Sequence, residues 1–129
     1  MNSVGVIISK IYIAIVALFV AYLGMMWTFA TQHSLDKFNI SIGTLAGINT
    51  IKTLVGTSLL TISFFAALFI INPKKWFSPL LLMTSLLLVL RILSLFIDGF
   101  QERMTIYAGL ELLILFAVYY IGKNENKKS

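Results

Sequence analysis

The chain has 129 residues, 59% of them hydrophobic and 12% charged, with a net charge of +5 and a mean hydropathy of +0.94. A soluble domain of this size carries about 25% charged residues, so the composition excludes an ordinary water-soluble fold. No cysteine is present, which excludes disulfides, thiol catalysis and cysteine-based metal sites.

The apolar residues come in long blocks rather than stripes. A span needs about 20 mostly apolar residues to cross roughly 30 Å of hydrocarbon. The segments Val4–Thr28, Thr53–Ile71, Phe77–Ile97 and Met104–Gly122 meet that length. They predict an all-α membrane protein, a four-transmembrane-helix bundle forming a single domain over 1–129. The predicted helices run over about 4–28, 53–71, 77–97 and 104–122, with an outer loop over 29–50. The first block is too long for the apolar core of a signal peptide, about 7 to 15 residues, and is expected to stay as a helix.

Four spans put the N-terminus, the middle loop and the C-terminus on one side. That side collects Lys10, Lys74, Lys75, Lys123, Lys127 and Lys128 against Glu125. The other side has Lys37, Lys52 and Arg103 against Asp36, Asp98 and Glu102. The positive-inside bias therefore predicts that both termini are cytoplasmic. The basic excess follows from this bias. No basic stripe with interleaved aromatics points to nucleic acid.

The first helix places Ala14, Ala17, Ala21 and Gly24 on one face, and small residues let helices approach closely in lipid. It is expected to be a packing face. Lys10 can snorkel to the cytoplasmic interface, and Tyr22 and Trp27 suit the opposite one. The segment 29–50 holds the single histidine, His33, so neither a bis-His haem site nor a zinc site is expected. Asn39-Ile40-Ser41 matches a glycosylation acceptor, relevant only in a secretory compartment. Ile40, Ile42, Leu45 and Ile48 would let this segment lie in the interface or cap the bundle. The second helix opens with Asn49 and Lys52 and carries Gly56, Thr57, Ser58, Thr61 and Ser63; such hydroxyls bond back to their own backbone. Asn72-Pro73-Lys74-Lys75-Trp76 then reads as a tight turn, since proline cannot continue a helical ladder.

The last two spans hold the most informative residues. Arg91 and Glu111 each interrupt an otherwise uncharged apolar run. A charge at membrane depth costs roughly 2.5 to 3.5 kcal/mol, so it usually has a partner or a role. In an antiparallel hairpin turning near Gln101, the two lie at matching depth, each roughly 10 Å inside the outer helix end. Arg91, Ser94 and Asp98 share one face at spacings of three and four, and Tyr107 lies four residues before Glu111. With Asn49 and Lys52 entering from the second helix, these residues form a polar cluster in the outer half of the bundle.

The run Arg91-Ile92-Leu93-Ser94-Leu95-Phe96-Ile97-Asp98-Gly99, followed by Glu111-Leu112, resembles a family of small bacterial four-span membrane proteins catalogued only as a domain of unknown function. Members tend to carry Asn-x-x-Arg before the second helix, then a glycine. Here Asn49-Thr50-Ile51-Lys52 and Gly56 match, with lysine, a point charge, in place of the arginine fork. DoxX-like four-span proteins are a weaker architectural likeness. The resemblance implies a four-helix bundle in a bacterial inner membrane and no particular activity.

Three readings of the cluster stay open. In the first, the protein is a binding or accessory protein, its polar cluster holding a lipid-like or small amphiphilic ligand or a partner helix. In the second it is a membrane enzyme acting on a lipid or isoprenoid, with Lys52, Arg91, Asp98 and Glu111 stabilising charge and moving protons. In the third the cluster is a structural lock, Arg91 holding Glu111 and Lys52 holding Asp98, inside a larger membrane complex. Expected partners are the bilayer, such a ligand, and a second copy or another membrane protein. No cofactor and no metal is expected.

Overall fold

The computed structural model describes residues 2–127, with side chains for all of them except 2, 3 and 126. Lys128, one of the basic residues on the N-terminal side, lies outside the described residues. The protein is all-α. The helices are α1 (Asn2–Phe29), α2 (Thr31–Lys37), α3 (Leu45–Ile71), α4 (Pro73–Asp98) and α5 (Glu102–Lys127), with no strand among the described residues.

Four of these helices are long and apolar enough to cross a membrane. The shortest, α4 and α5, have 26 residues each, about 39 Å at the helical rise. Only 17–22% of each apolar stretch is buried inside the protein. Leu18, Phe29, Leu45, Ile71, Phe96 and Ile97 all stand in the open. Water would not tolerate such a surface and lipid does, so this is an integral membrane protein.

The helices start earlier and run longer than the hydropathy blocks suggest. α3 begins at Leu45 rather than near 53, because Thr44 caps it: its Oγ1 accepts from the Gly47 amide at 3.0 Å. α4 begins at Pro73 rather than near 77. Proline suits the first helical position, where its missing N–H has no intrahelical partner anyway, and the Asn72 side chain accepts from the Lys75 amide at 3.3 Å. Lys74, Lys75 and Trp76 are thus the first turn of α4, and Asn72 alone links α3 to α4.

The chain divides into two compact units, residues 1–14 with 65–129, and residues 15–64. In the second unit α1 and α3 run antiparallel. The α1 face of Ala17 and Gly24 meets the α3 face of Gly56, Leu60 and Ser63. Ser63 Oγ donates to the Ala17 carbonyl at 2.8 Å, and Thr28 stands over Gly56. A Cβ on Gly24 would lie 2.9 Å from Leu60 Cγ and 3.2 Å from the Leu60 backbone nitrogen. Ala17 and Gly24 are buried and Ala21 half-buried, so this part of the small-residue face packs inside the protein. Ala14, also half-buried, belongs to the first unit.

The segment 29–50 contains α2, which the hydropathy pattern does not reveal. Thr31, Ser34 and Leu35 are buried. Asn39, at φ 55°, ends the helix: its amide donates to Asp36 O at 3.1 Å and the Ile40 amide to Leu35 O at 2.9 Å. Phe38 then stacks on Trp27, centroids 5.8 Å apart. Trp27 is buried at 7% exposure. Tyr22 does stay exposed.

In the first unit, Leu80, Thr84, Leu88 and Leu95 form one buried face of α4, and Ala117, Val118 and Ile121 a buried face of α5. Gly122 receives the Phe77 ring. The first half of α1 joins them, with Ile13 buried, Tyr120 over Gly5, and Tyr12 Oη donating to the Leu110 carbonyl at 3.4 Å.

The close approach at Gly24 makes a paired prediction. Gly24→Ala should lower stability by about 1–3 kcal/mol, because the Leu60 backbone has little freedom to move aside. Gly109→Ala, where nothing lies within 4 Å, should be neutral or slightly stabilising. Thermal unfolding in detergent checks both.

Candidate functional site

The last turn but one of α4 aims a charge at α5. Arg91 Nε donates to Glu111 Oε1 at 2.8 Å, and Nη2 lies 2.8 Å from the same oxygen. The pair fulfils the depth match read from the sequence. The contact is one-sided: both nitrogens converge on Oε1, and Oε2 is buried without a hydrogen-bond partner. The two side chains are 30% and 18% exposed, so each charge is substantially withdrawn from its surroundings. That withdrawal costs energy that the pairing must offset.

The rest of the guanidinium is held more loosely. Nη1 reaches the Met104 sulfur at 3.5 Å, a weak acceptor, and the guanidinium carbon stands 5.8 Å from the Tyr107 ring centroid. Glu111, Tyr107 and Met104 recur at spacings of four and three on one face of α5, which is why all of them meet Arg91.

Beside the pair, a cleft of about 290 Å³ opens at the α4–α5 turn. Arg91, Ser94, Leu95 and Asp98 line it from α4, Gly99 and Gln101 from the turn, and Met104 from α5. The expected face of Arg91, Ser94 and Asp98 is therefore the wall of a real cleft. Gly99 has φ 98°, a conformation that side-chain-bearing residues rarely adopt, and it turns the chain sharply after Asp98.

The structure joins Arg91, Ser94 and Asp98 to the cleft, and Tyr107 and Glu111 to Arg91. Asn49 and Lys52 belong to the other unit. There Asn49 is exposed and its Oδ1 accepts from Thr53 Oγ1 at 3.3 Å, while Lys52 is half-buried. The pairing of Lys52 with Asp98 stays an expectation. Sequence reasoning passed over Met104 and Gln101. Met104 was within reach of it, lying seven residues before Glu111 on the same face. A smaller recess of about 50 Å³ lies in the second unit between Tyr22, Trp27, His33, Lys37 and Phe38.

Because the pair is partly buried, removing one partner should cost more than removing both. Glu111→Leu or Arg91→Met alone should each destabilise by about 2 kcal/mol, the scale of a hydrogen bond to a charged group. The double variant should be less destabilised than either single one, recovering more than about 2 kcal/mol of the summed loss. A double-mutant cycle on unfolding in detergent checks this.

No family model, no curated protein and no solved structure matches this chain.

Proposed function

We propose that this is a ligand-binding or accessory membrane protein whose α4–α5 turn holds a lipid-like or small amphiphilic molecule. The observation that carries the reading is the cleft itself. It is walled by Arg91, Ser94, Asp98 and Gln101, and Arg91 enters it with Nη1 engaged only by a thioether. A cleft of this size beside an incompletely used guanidinium is a recognition surface for an anionic or polar head. Native mass spectrometry of the protein released from its own membrane should show a retained small amphiphile. Ser94→Phe, which fills the cleft from an exposed position, should remove it while the melting temperature holds. An unchanged adduct in that variant would sink the reading.

The same reading sets the topology. Lys10, Lys74, Lys75, Lys123 and Lys127 face the cytoplasm, so the cleft opens to the outer side of a bacterial inner membrane. The Arg91…Asp98-Gly99…Glu111 order, which resembles that of the small bacterial four-span proteins, is in keeping with that location. A chain without cysteine makes the test clean. Glu102→Cys should react with a membrane-impermeant maleimide on intact cells, and Lys74→Cys only after permeabilisation.

The closed Arg91–Glu111 pair favours a second reading, a structural lock in a subunit of a larger complex. It predicts that the released protein carries a partner chain and no small molecule.

A further inference from the structure

The cleft carries opposite charges at its two ends. Arg91 stands at the deeper end and Asp98 at the shallower one, seven residues on, an axial offset of about 10 Å. Ser94 lies between them on the same wall, and Gln101 faces them from the turn.

The deep end is built for an anion. A guanidinium has five N–H donors. Arg91 commits its Nε and Nη2 to Glu111 Oε1 and leaves Nη1 toward Met104. The shallow end is built for a cation. Asp98 is the last residue of α4, exposed, where the final carbonyls of the helix lose their intrahelical donors and the helix dipole is negative. Within its own unit, no described cation pairs with Asp98.

A primary ammonium suits this end. Around Asp98 the cleft offers oxygen acceptors, from the carboxylate and the Gln101 amide, which suit a group with three N–H donors. A quaternary ammonium would call for aromatic faces, and no aromatic residue lines the cleft. A phosphodiester deep and a primary ammonium shallow is also the order in which a membrane presents those groups. The cleft has room for such a head and not for acyl chains. Phe96, Ile97 and Phe100, all more than 70% exposed around the same turn, give those chains an apolar surface.

We infer that the cleft at the α4–α5 turn binds the headgroup of an aminophospholipid, phosphate toward Arg91 and ammonium toward Asp98. This rests on the binding reading above and names its ligand class.

The test is native mass spectrometry after incubation in detergent with an equimolar mixture of phosphatidylethanolamine, phosphatidylcholine and phosphatidylglycerol with matched chains. The wild type should retain phosphatidylethanolamine over each of the others by about tenfold, the worth of one charge-assisted contact. Asp98→Asn, at an exposed position, should lose that preference over phosphatidylcholine and retain a similar total of lipid. Should Asp98→Asn fail to fold, Ser94→Phe gives a second test: by filling the cleft it should abolish retention of phosphatidylethanolamine, and retention with the wild-type preference would overturn the inference. Soluble glycerophosphoethanolamine separates two sources of the same chemistry: displacement of the lipid shows that the headgroup suffices, and retention shows that the chains are part of the ligand. Retained lipid with no headgroup preference, or a preference that survives in Asp98→Asn, overturns this inference and leaves the binding reading standing. A wild type that retains no lipid overturns both.

Discussion

In hydrocarbon every backbone N–H and C=O must find its partner inside the protein, and the rest of this structure depends on that constraint. It makes the apolar blocks continuous helices of 26 to 28 residues. It also governs the hydroxyls. Thr28, Thr31, Ser58 and Thr84 each donate to the carbonyl four residues earlier, so none needs a partner elsewhere. Ser63 is different: it donates to Ala17 on another helix, and does so where small residues let the two backbones approach. These hydroxyls thus either close on their own helix or fix a helix pair.

Arg91 and Glu111 apply the same rule to full charges. Neither can be satisfied by its own helix, so α4 and α5 must bring them together, and their pairing sets the register of the hairpin. Their geometry does not exhaust them. The pair uses one edge of the guanidinium, Nε and Nη2. Nη1 is left toward Met104, and both residues line the cleft. One residue can therefore hold the hairpin and line the cleft.

The spans and the Arg91–Glu111 pair were legible in the sequence because both rest on simple periodicities: block length, and symmetry about a turn. The face of Arg91, Ser94 and Asp98 was legible for the same reason. The start of α3 was not. Asn49 and Lys52 read as the polar edge of a span, whereas Thr44 had already begun the helix, and a cap is a one-residue signal easily lost beside a long hydropathy block. α2 was missed because a single leucine among six polar residues carries no periodicity; burial of Leu35 and the turn at Asn39 make it a helix. The cleft could not be read at all. A cavity is a failure of packing between particular side chains, and no local pattern encodes it. Grouping Asn49 and Lys52 with Arg91 rested on depth alone, which cannot say where helices stand around one another.

The single residue between α3 and α4 bears on how the chain is made. Ile71 ends one apolar helix and Pro73 begins the next, with only Asn72 between them. No slack exists for α4 to wait in water while α3 settles in the bilayer. As synthesis proceeds, α4 emerges already tied to the membrane surface, its first turn carrying Lys74, Lys75 and Trp76. Trp76 meets Phe65 edge-on at 5.4 Å, and Lys75 stands over the Trp76 ring, so that end is anchored at the headgroup layer. The biogenesis machinery therefore receives α3 and α4 joined by a single residue, and a reporter domain spliced at Asn72 would part what the ribosome delivers without a loop.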